Sequence, residues 1–453
     1  MGGKPHERAL RASKMNRDAD LPVRSRTTTL TLAIFFLGYP PNYLGQVLFS
    51  RWLGAEDYGD YSVALSVAAL VTTLTLLGLD KAVMKFVPLY EGPEEVGRAK
   101  GFLIFTFRTV IAVGLGLSVL GWIGTRLVEI VASVDEHAVR HAMFLVVPMS
   151  LSILSVQMLA ARRRPVQASL VLKIVLPLTL VGLATAAHLV SPMSELKAVW
   201  VTVMANGLIV VALAPFLIAG WRKRFRGREP LYETGEWMAI SRGFLAMSFA
   251  MTMLDQSGVL ILELIHHDEA DVGIFTAARF TAGYPLVALA ALRMVSIPRF
   301  VRELEGGDRQ AFERELGRNL RILSITGLAA LTLWVVWGDA FLSIFGIRFE
   351  SAHLTLVVLG VGYLGGLLLG FAPPILHIRG ENRMIYRSTI AMLSINVGLA
   401  FLLVPFFGHV GAAIALAVSI LAVGIAQAVW LEKKGGIPYL SLVFRPTSAP
   451  KEP

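Results

Sequence analysis

Residues 48–90 read LFSRWLGAEDYGDYSVALSVAALVTTLTLLGLDKAVMKFVPLY: the end of one apolar stretch, a short polar turn, a second apolar stretch and a basic exit. The turn, Arg51 to Gly59, is too short to be a domain. From Tyr58 to Leu79 there is no Lys or Arg, and that length of helix matches the hydrocarbon thickness of a bilayer. An acidic turn at one end and Lys81 and Lys85 at the other orient the hairpin, because basic residues collect on the cytoplasmic side.

The same pattern runs through the chain. Of 453 residues, 55% are hydrophobic and 16% charged, against about a quarter charged in soluble domains. The charges sit in clusters between long apolar runs, which makes a soluble core untenable. Twelve apolar spans can be drawn, at 30–50, 59–79, 102–123, 140–160, 166–188, 198–219, 239–262, 272–294, 319–337, 352–372, 386–407 and 410–430. Assigned alternately, the inside loops and tails hold 33 of the 42 Lys and Arg and the outside loops five: Arg51, Arg126, Arg140, Lys197 and Arg348. This places both termini in the cytoplasm. The net charge of +10 follows from topology, so no nucleic-acid partner is expected. The absence of cysteine excludes a disulfide framework and a thiolate metal site.

The expectation is an all-α polytopic membrane protein: a cytoplasmic N-terminal arm (1–29), a six-helix bundle (30–220), a basic cytoplasmic linker (221–237), a second six-helix bundle (238–430) and a cytoplasmic tail (431–453). The arm shows no cleavable signal. Internal duplication supports two bundles. Asp57-Tyr58-Gly59-Asp60-Tyr61 opens the second span and Asp271-Val272-Gly273-Ile274-Phe275 the eighth, 214 residues later, each placing an Asp where it can cap a helix start. Six helices plus six, both starting inside, form a parallel repeat about an axis along the membrane normal. Loop 293–321 is amphipathic and is expected to lie as a helix on the cytoplasmic surface.

The turn also carries a resemblance. Arg51-Trp52-Leu53-Gly54-Ala55-Glu56-Asp57-Tyr58-Gly59-Asp60-Tyr61, followed by an apolar helix, the Gly78-Leu79 exit and Lys85-Phe86-Val87, resembles the polysaccharide transporter family of Wzx-type lipid-linked oligosaccharide flippases. That superfamily includes MATE multidrug antiporters and the lipid II flippase. Ala55 stands where the family pattern expects Pro. The resemblance implies a MATE-like fold in the cytoplasmic membrane. It also implies a polyprenyl-diphosphate-linked oligosaccharide as substrate, with membrane lipids and other polysaccharide-assembly proteins as partners.

Charged groups inside the spans are the candidate site, because each costs roughly 3 kcal/mol at mid-bilayer. Ser248, Thr252, Asp255, Gln256 and Val259 follow three-and-four spacing on the seventh span. Tyr39, Asn42 and Gln46 do so on the first. Asn42 and Gln256 are also 214 apart, so these two spans are read as lining one central cavity. Hydrogen-bonded helix packing is the alternative. Arg279 has two readings, pairing with Asp255 or holding an anion in bidentate fashion. Arg108, Lys173 and Arg242 lie near inner span ends and either snorkel or face the cavity. His266, His267, Asp268, Glu269 and Asp271 lack the spacing of a metal site and read as a solvated turn. Pro40-Pro41 and Pro373-Pro374 are expected to bend or break helices. Gly362, Gly365, Gly366 and Gly370 are expected to allow close helix packing.

No phosphate-binding loop of the G-x-x-x-x-G-K-[ST] type is present. No outside loop is long enough for a catalytic domain, and no cofactor is expected. The leading reading is a flippase working by alternating access. The alternative is a MATE-like cation-coupled drug or small-molecule antiporter, with Asp255 as the coupled carboxylate.

Overall fold

The computed structural model describes residues 21–132, 137–162, 164–266 and 268–444. The first twenty residues of the expected arm, His267, and the tail beyond 444 lie outside them. Among the described residues there is no strand. The helices are α1 (Leu21–Leu76), α2 (Leu79–Leu89), α3 (Val96–Ala132), α4 (Ala138–Ala161), α5 (Pro165–Val190), α6 (Glu195–Arg224) and α7 (Thr234–His266). They continue with α8 (Glu269–Ala282), α9 (Leu286–Glu305), α10 (Arg309–Ser343), α11 (Ile347–Ile378), α12 (Asn382–Lys433) and α13 (Tyr439–Phe444).

Nine helices among the described residues are long and apolar enough to cross a membrane. The pair α8–α9, bent by 43°, makes a tenth crossing. Two of these fold back on themselves. A straight 56-residue helix would extend about 84 Å, nearly three hydrocarbon thicknesses. Instead α1 reverses at Gly54, whose φ of 82° and ψ of −176° suit a residue without Cβ. Tyr58 Oη then donates to Gln46 Oε1 at 2.7 Å, and the rings of Phe49 and Tyr61 stack 5.0 Å apart. Twelve residues along one helix would separate each pair by about 18 Å. In α12 the reversal is at Gly408 (φ 51°), where a Cβ on Gly411 would lie 2.6 Å from the Leu403 carbonyl carbon. With both hairpins opened, twelve crossings result, six on each side of the 221–237 connection.

The halves share one core at the Gly54 end, and at the other end the start of α7 packs on the first half, where a Cβ on Gly78 would meet Ser241 O. One buried cluster runs through both at the Gly54 end, including Phe49, Tyr58, Phe275 and Phe345. At the basic end each half has its own. Phe86, Phe102 and Met158 gather in the first, joined by Trp237 from the start of α7. Phe300, Phe312, Phe371 and Tyr439 gather in the second.

Some connections differ from expectation. Residues 293–321 form no separate surface helix. They complete α9, turn at Gly306-Gly307 and begin α10, because Phe300 and Phe312 pack edge-to-face at 5.0 Å and hold the two ends as a hairpin. The linker is docked on the first half. Leu231 N donates to Gly97 O at 2.9 Å, Arg98 Nε meets Glu233 at 2.7 Å, and Trp237 Nε1 donates to Tyr90 Oη at 3.0 Å. Pro40-Pro41 lie within continuous helix, since Gly54 is the one non-helical residue inside α1. Pro373-Pro374 occupy the first turn of a new helical segment, Ala372–Ile378, where a missing N–H costs nothing. Gly362 meets Ala417 of α12, as packing glycines do. Asp268, not Asp271, caps α8, accepting from Ala270 N at 3.0 Å. Asp271 faces His266 Nδ1 at 3.2 Å.

Candidate functional site

Between the halves lies a cavity of about 670 Å³. Six of the candidate residues line it: Asn42 and Gln46 from α1, Lys173 from α5, Asp255 and Gln256 from α7, and Arg279 from α8. Asn42 and Gln256, at the repeat offset, both line it. Arg108 is not among the lining residues; it lines a separate recess on α3. Arg242 lines neither space and is exposed on the first turns of α7. Both stand apart from the cavity because helix rotation, not depth, decides what a side chain faces.

Asp255, Gln256 and Arg279 form a continuous network with the first half. Arg279 Nη1 donates to Asp255 Oδ1 and to the Asp255 backbone carbonyl, both at 2.7 Å. Gln256 Nε2 donates to the other carboxylate oxygen at 2.7 Å, and Ser66 Oγ lies 2.8 Å from Gln256 Oε1. The ion pair therefore exists, but it is lopsided: the Arg279 side chain is 14% exposed and Asp255 63%. Arg279 Nε and Thr276 Oγ1, one turn apart on the cavity wall, are buried with no hydrogen-bond partner among the described residues. Unsatisfied buried donors carry a desolvation cost of about 1–3 kcal/mol each.

Further cross-half bonds surround this network. Tyr39 Oη donates to Phe280 O at 2.8 Å, Tyr43 Oη and Thr281 Oγ1 lie 3.3 Å apart, and Thr73 and Thr252 share a 3.0 Å bond. On the opposite wall, Lys173 sits in a π-helical turn, Val171–Val175. Pro177, four residues on, has no N–H to give the Lys173 carbonyl, and Gly38 packs against that carbonyl and the Lys173 Cβ. The one sequence signal for this wide turn is the Lys-x-x-x-Pro spacing. A group of three or more His, Asp or Glu side chains that could hold a metal is absent among the described residues.

A sequence-family model described as polysaccharide biosynthesis protein matches residues 25–303. The chain belongs to this family. No match was found among curated proteins. Among solved structures, it is similar to an inward-facing multidrug resistance MATE family transporter of the MOP superfamily. That match has a TM-score of 0.74 and 14% identity, covering 93% of this chain and 100% of that one. It is similar also to the lipid II flippase MurJ in an inward closed conformation, with a TM-score of 0.68 and 12% identity over 92% and 90% of the chains. A MATE crystal structure in the bent conformation gives 0.59 and 13% over 92% and 98%. This polysaccharide biosynthesis family member therefore has the MATE/MOP transporter fold and is a multi-pass membrane protein.

Proposed function

We propose that this chain is a flippase. It would move a polyprenyl-diphosphate-linked oligosaccharide across the cytoplasmic membrane for surface polysaccharide synthesis. The supporting observation is the charge and hydrogen-bonding state of the cavity. Lys173 and Arg279 line it with a single carboxylate, Asp255, and with the hydrogen-bonding side chains of Asn42 and Gln256. A diphosphate supplies acceptors and negative charge, and a guanidinium meets it in fork geometry. The family and the fold shared with a lipid II flippase point the same way.

The two halves, 30–220 and 238–430, are the moving bodies. The distribution of Lys and Arg supports a cytoplasmic basic end and cytoplasmic termini. The shared core at the Gly54 end then makes this state one that is closed outward. The headgroup enters between the halves from the inner leaflet while the polyprenyl chain stays in lipid, and rocking of the halves exposes it outside. Membrane potential contributes about 2.3 kcal/mol per charge per 100 mV and favours outward movement of an anion when the inside is negative.

The test is a deletion strain complemented with Arg279→Ala or Lys173→Ala. Each variant is expected to accumulate lipid-linked glycan on the cytoplasmic face, with partial rescue by Arg279→Lys. Normal surface glycan in both alanine variants would overturn the assignment. One observation favours a cation-coupled antiporter instead: Asp255 is the more exposed partner of its ion pair. That reading requires drug or cation transport to fail in Asp255→Asn.

A further inference from the structure

A second recess, away from the cavity between the halves, lies on the first half at its basic end. Residues 100, 103, 104, 107 and 108 of α3 fall at helical spacing on one side, and on the other lie 218 and 221 of α6 with Phe225, the residue that caps it. Such registers usually mark a seam into which a third helix packs. Here the seam is an open groove of about 1070 Å³. Its floor is aromatic: Phe107 and Trp221 meet at 5.6 Å, and Trp221 and Phe225 at 6.5 Å.

Its rim is cationic. Lys100 lines it and reaches the linker, donating to Arg228 O at 2.7 Å. Arg108 and Arg226 both line the groove and are exposed, and neither has a hydrogen bond or ion pair among the described residues. Two guanidinium groups above an apolar trough match an amphiphile with an anionic head and a hydrocarbon tail. Arg108 lies two turns along α3 from Lys100, about 12 Å, and a helical side chain leans toward its N-terminus, so Arg108 snorkels back toward the basic end, where Arg226 also lies.

We propose that this groove is a binding site for an anionic glycerophospholipid of the cytoplasmic leaflet. Arg108 and Arg226 hold the phosphate, and Leu103, Ile104, Phe107 and Ile218 hold the upper acyl chain. Charge complementarity selects this occupant over a neutral lipid, since basic pockets beside transmembrane helices recognise anionic headgroups. The proposal is independent of what the cavity between the halves carries.

The experiment is native mass spectrometry of the full chain released from nanodiscs of phosphatidylcholine with phosphatidylglycerol. Wild type is expected to retain phosphatidylglycerol in preference to phosphatidylcholine. The double variant Arg108→Gln/Arg226→Gln is expected to lose that retention by on the order of tenfold. A control pair, Arg314→Gln/Arg318→Gln, removes equal charge from the second half and is expected to keep it. Equal retention of both lipids by wild type overturns the proposal, as does unchanged retention in the Arg108/Arg226 variant or equal loss in the control. Displacement of phosphatidylglycerol by geranylgeranyl diphosphate in wild type, abolished in the Arg108/Arg226 variant, also overturns it, by assigning the groove to a prenyl diphosphate. Unchanged thermal transitions of all variants are required, and the exposure of these side chains makes them expected.

Discussion

Gly59 and Gly273, 214 positions apart, pack into each other's helices in the same register. A side-chain carbon added to Gly59 would run into the carbonyl of Glu269, and one added to Gly273 into the carbonyl of Ala55. Glu269 is the repeat counterpart of Ala55, so the contact is its own mirror under the duplication. It brings α1 and α8 backbone to backbone at the Gly54 end, which leaves no room between the halves there. Overpacking of this kind costs about 1–3 kcal/mol, enough to move a two-state equilibrium roughly tenfold or more.

Gly273→Val should therefore separate the halves at this end. The chain has no cysteine, so spin labels at Glu56→Cys and Arg348→Cys report directly on a pair whose native side chains meet at 2.6 Å. Pulsed dipolar spectroscopy is expected to show a longer and broader distance distribution in the valine variant. An unchanged distribution would mean that the crossing does not control closure.

Arg279 and Asp255 should respond differently to removal. Loss of a charged hydrogen-bond donor is worth about 1.5–3 kcal/mol, so Arg279→Ala should weaken binding of geranylgeranyl diphosphate at least about tenfold in a fluorescence titration. Asp255→Asn frees the guanidinium and removes a like charge from the ligand, so affinity should hold or rise. Weaker diphosphate binding in Asp255→Asn, with wild-type binding in Arg279→Ala, would support the antiporter reading.

The docked linker separates two energy scales. The ring of Trp237 is fully buried against Phe102 and Phe105, and Trp237→Ala should lower stability by about 3–5 kcal/mol. The Arg98–Glu233 pair is partly exposed, and Arg98→Ala should cost under about 1 kcal/mol. Thermal unfolding in detergent, followed by fluorescence, measures both. Equal losses would mean that the linker is held by charge and not by its buried ring.

Tyr439 fastens the break in α11. Its hydroxyl accepts from Phe371 N at 3.2 Å and donates to Leu368 O at 3.1 Å, and burial raises the phenol pKa well above its usual value. Arg293 bonds to the neighbouring Gly370 carbonyl. Tyr439→Phe should cost about 1–3 kcal/mol, one or two net hydrogen bonds, while keeping the ring's packing. Tyr439→Ala should cost several more through the cavity it leaves. Similar thermal shifts for the two would show that the hydroxyl does nothing.

Much of the architecture was readable from the chain. Gly54 stood in a polar turn too short for anything but a reversal, and the 214-residue offset linked Asn42 to Gln256 before either had a position in space. Arg293 was misplaced. It falls in a charged segment read as a cytoplasmic loop, yet the fold half-buries it beside Gly370, because α9 runs straight through the start of that segment to Glu305. Tyr439 carried no signal either, being one aromatic residue in a short tail.

The sequence by itself determined that the chain is an all-α membrane protein of many spans and which end of each span is basic. Each follows from summed hydropathy or charge along a span, which needs no partner to be read. The tertiary structure alone decided which side of each helix faces what. Arg108 and Lys173 lie at similar depth in their spans, yet one lines the recess on α3 and the other the cavity between the halves. The rotation of each helix about its own axis, fixed by contacts such as Gly38 on Lys173, separates those outcomes, and no local pattern encodes it.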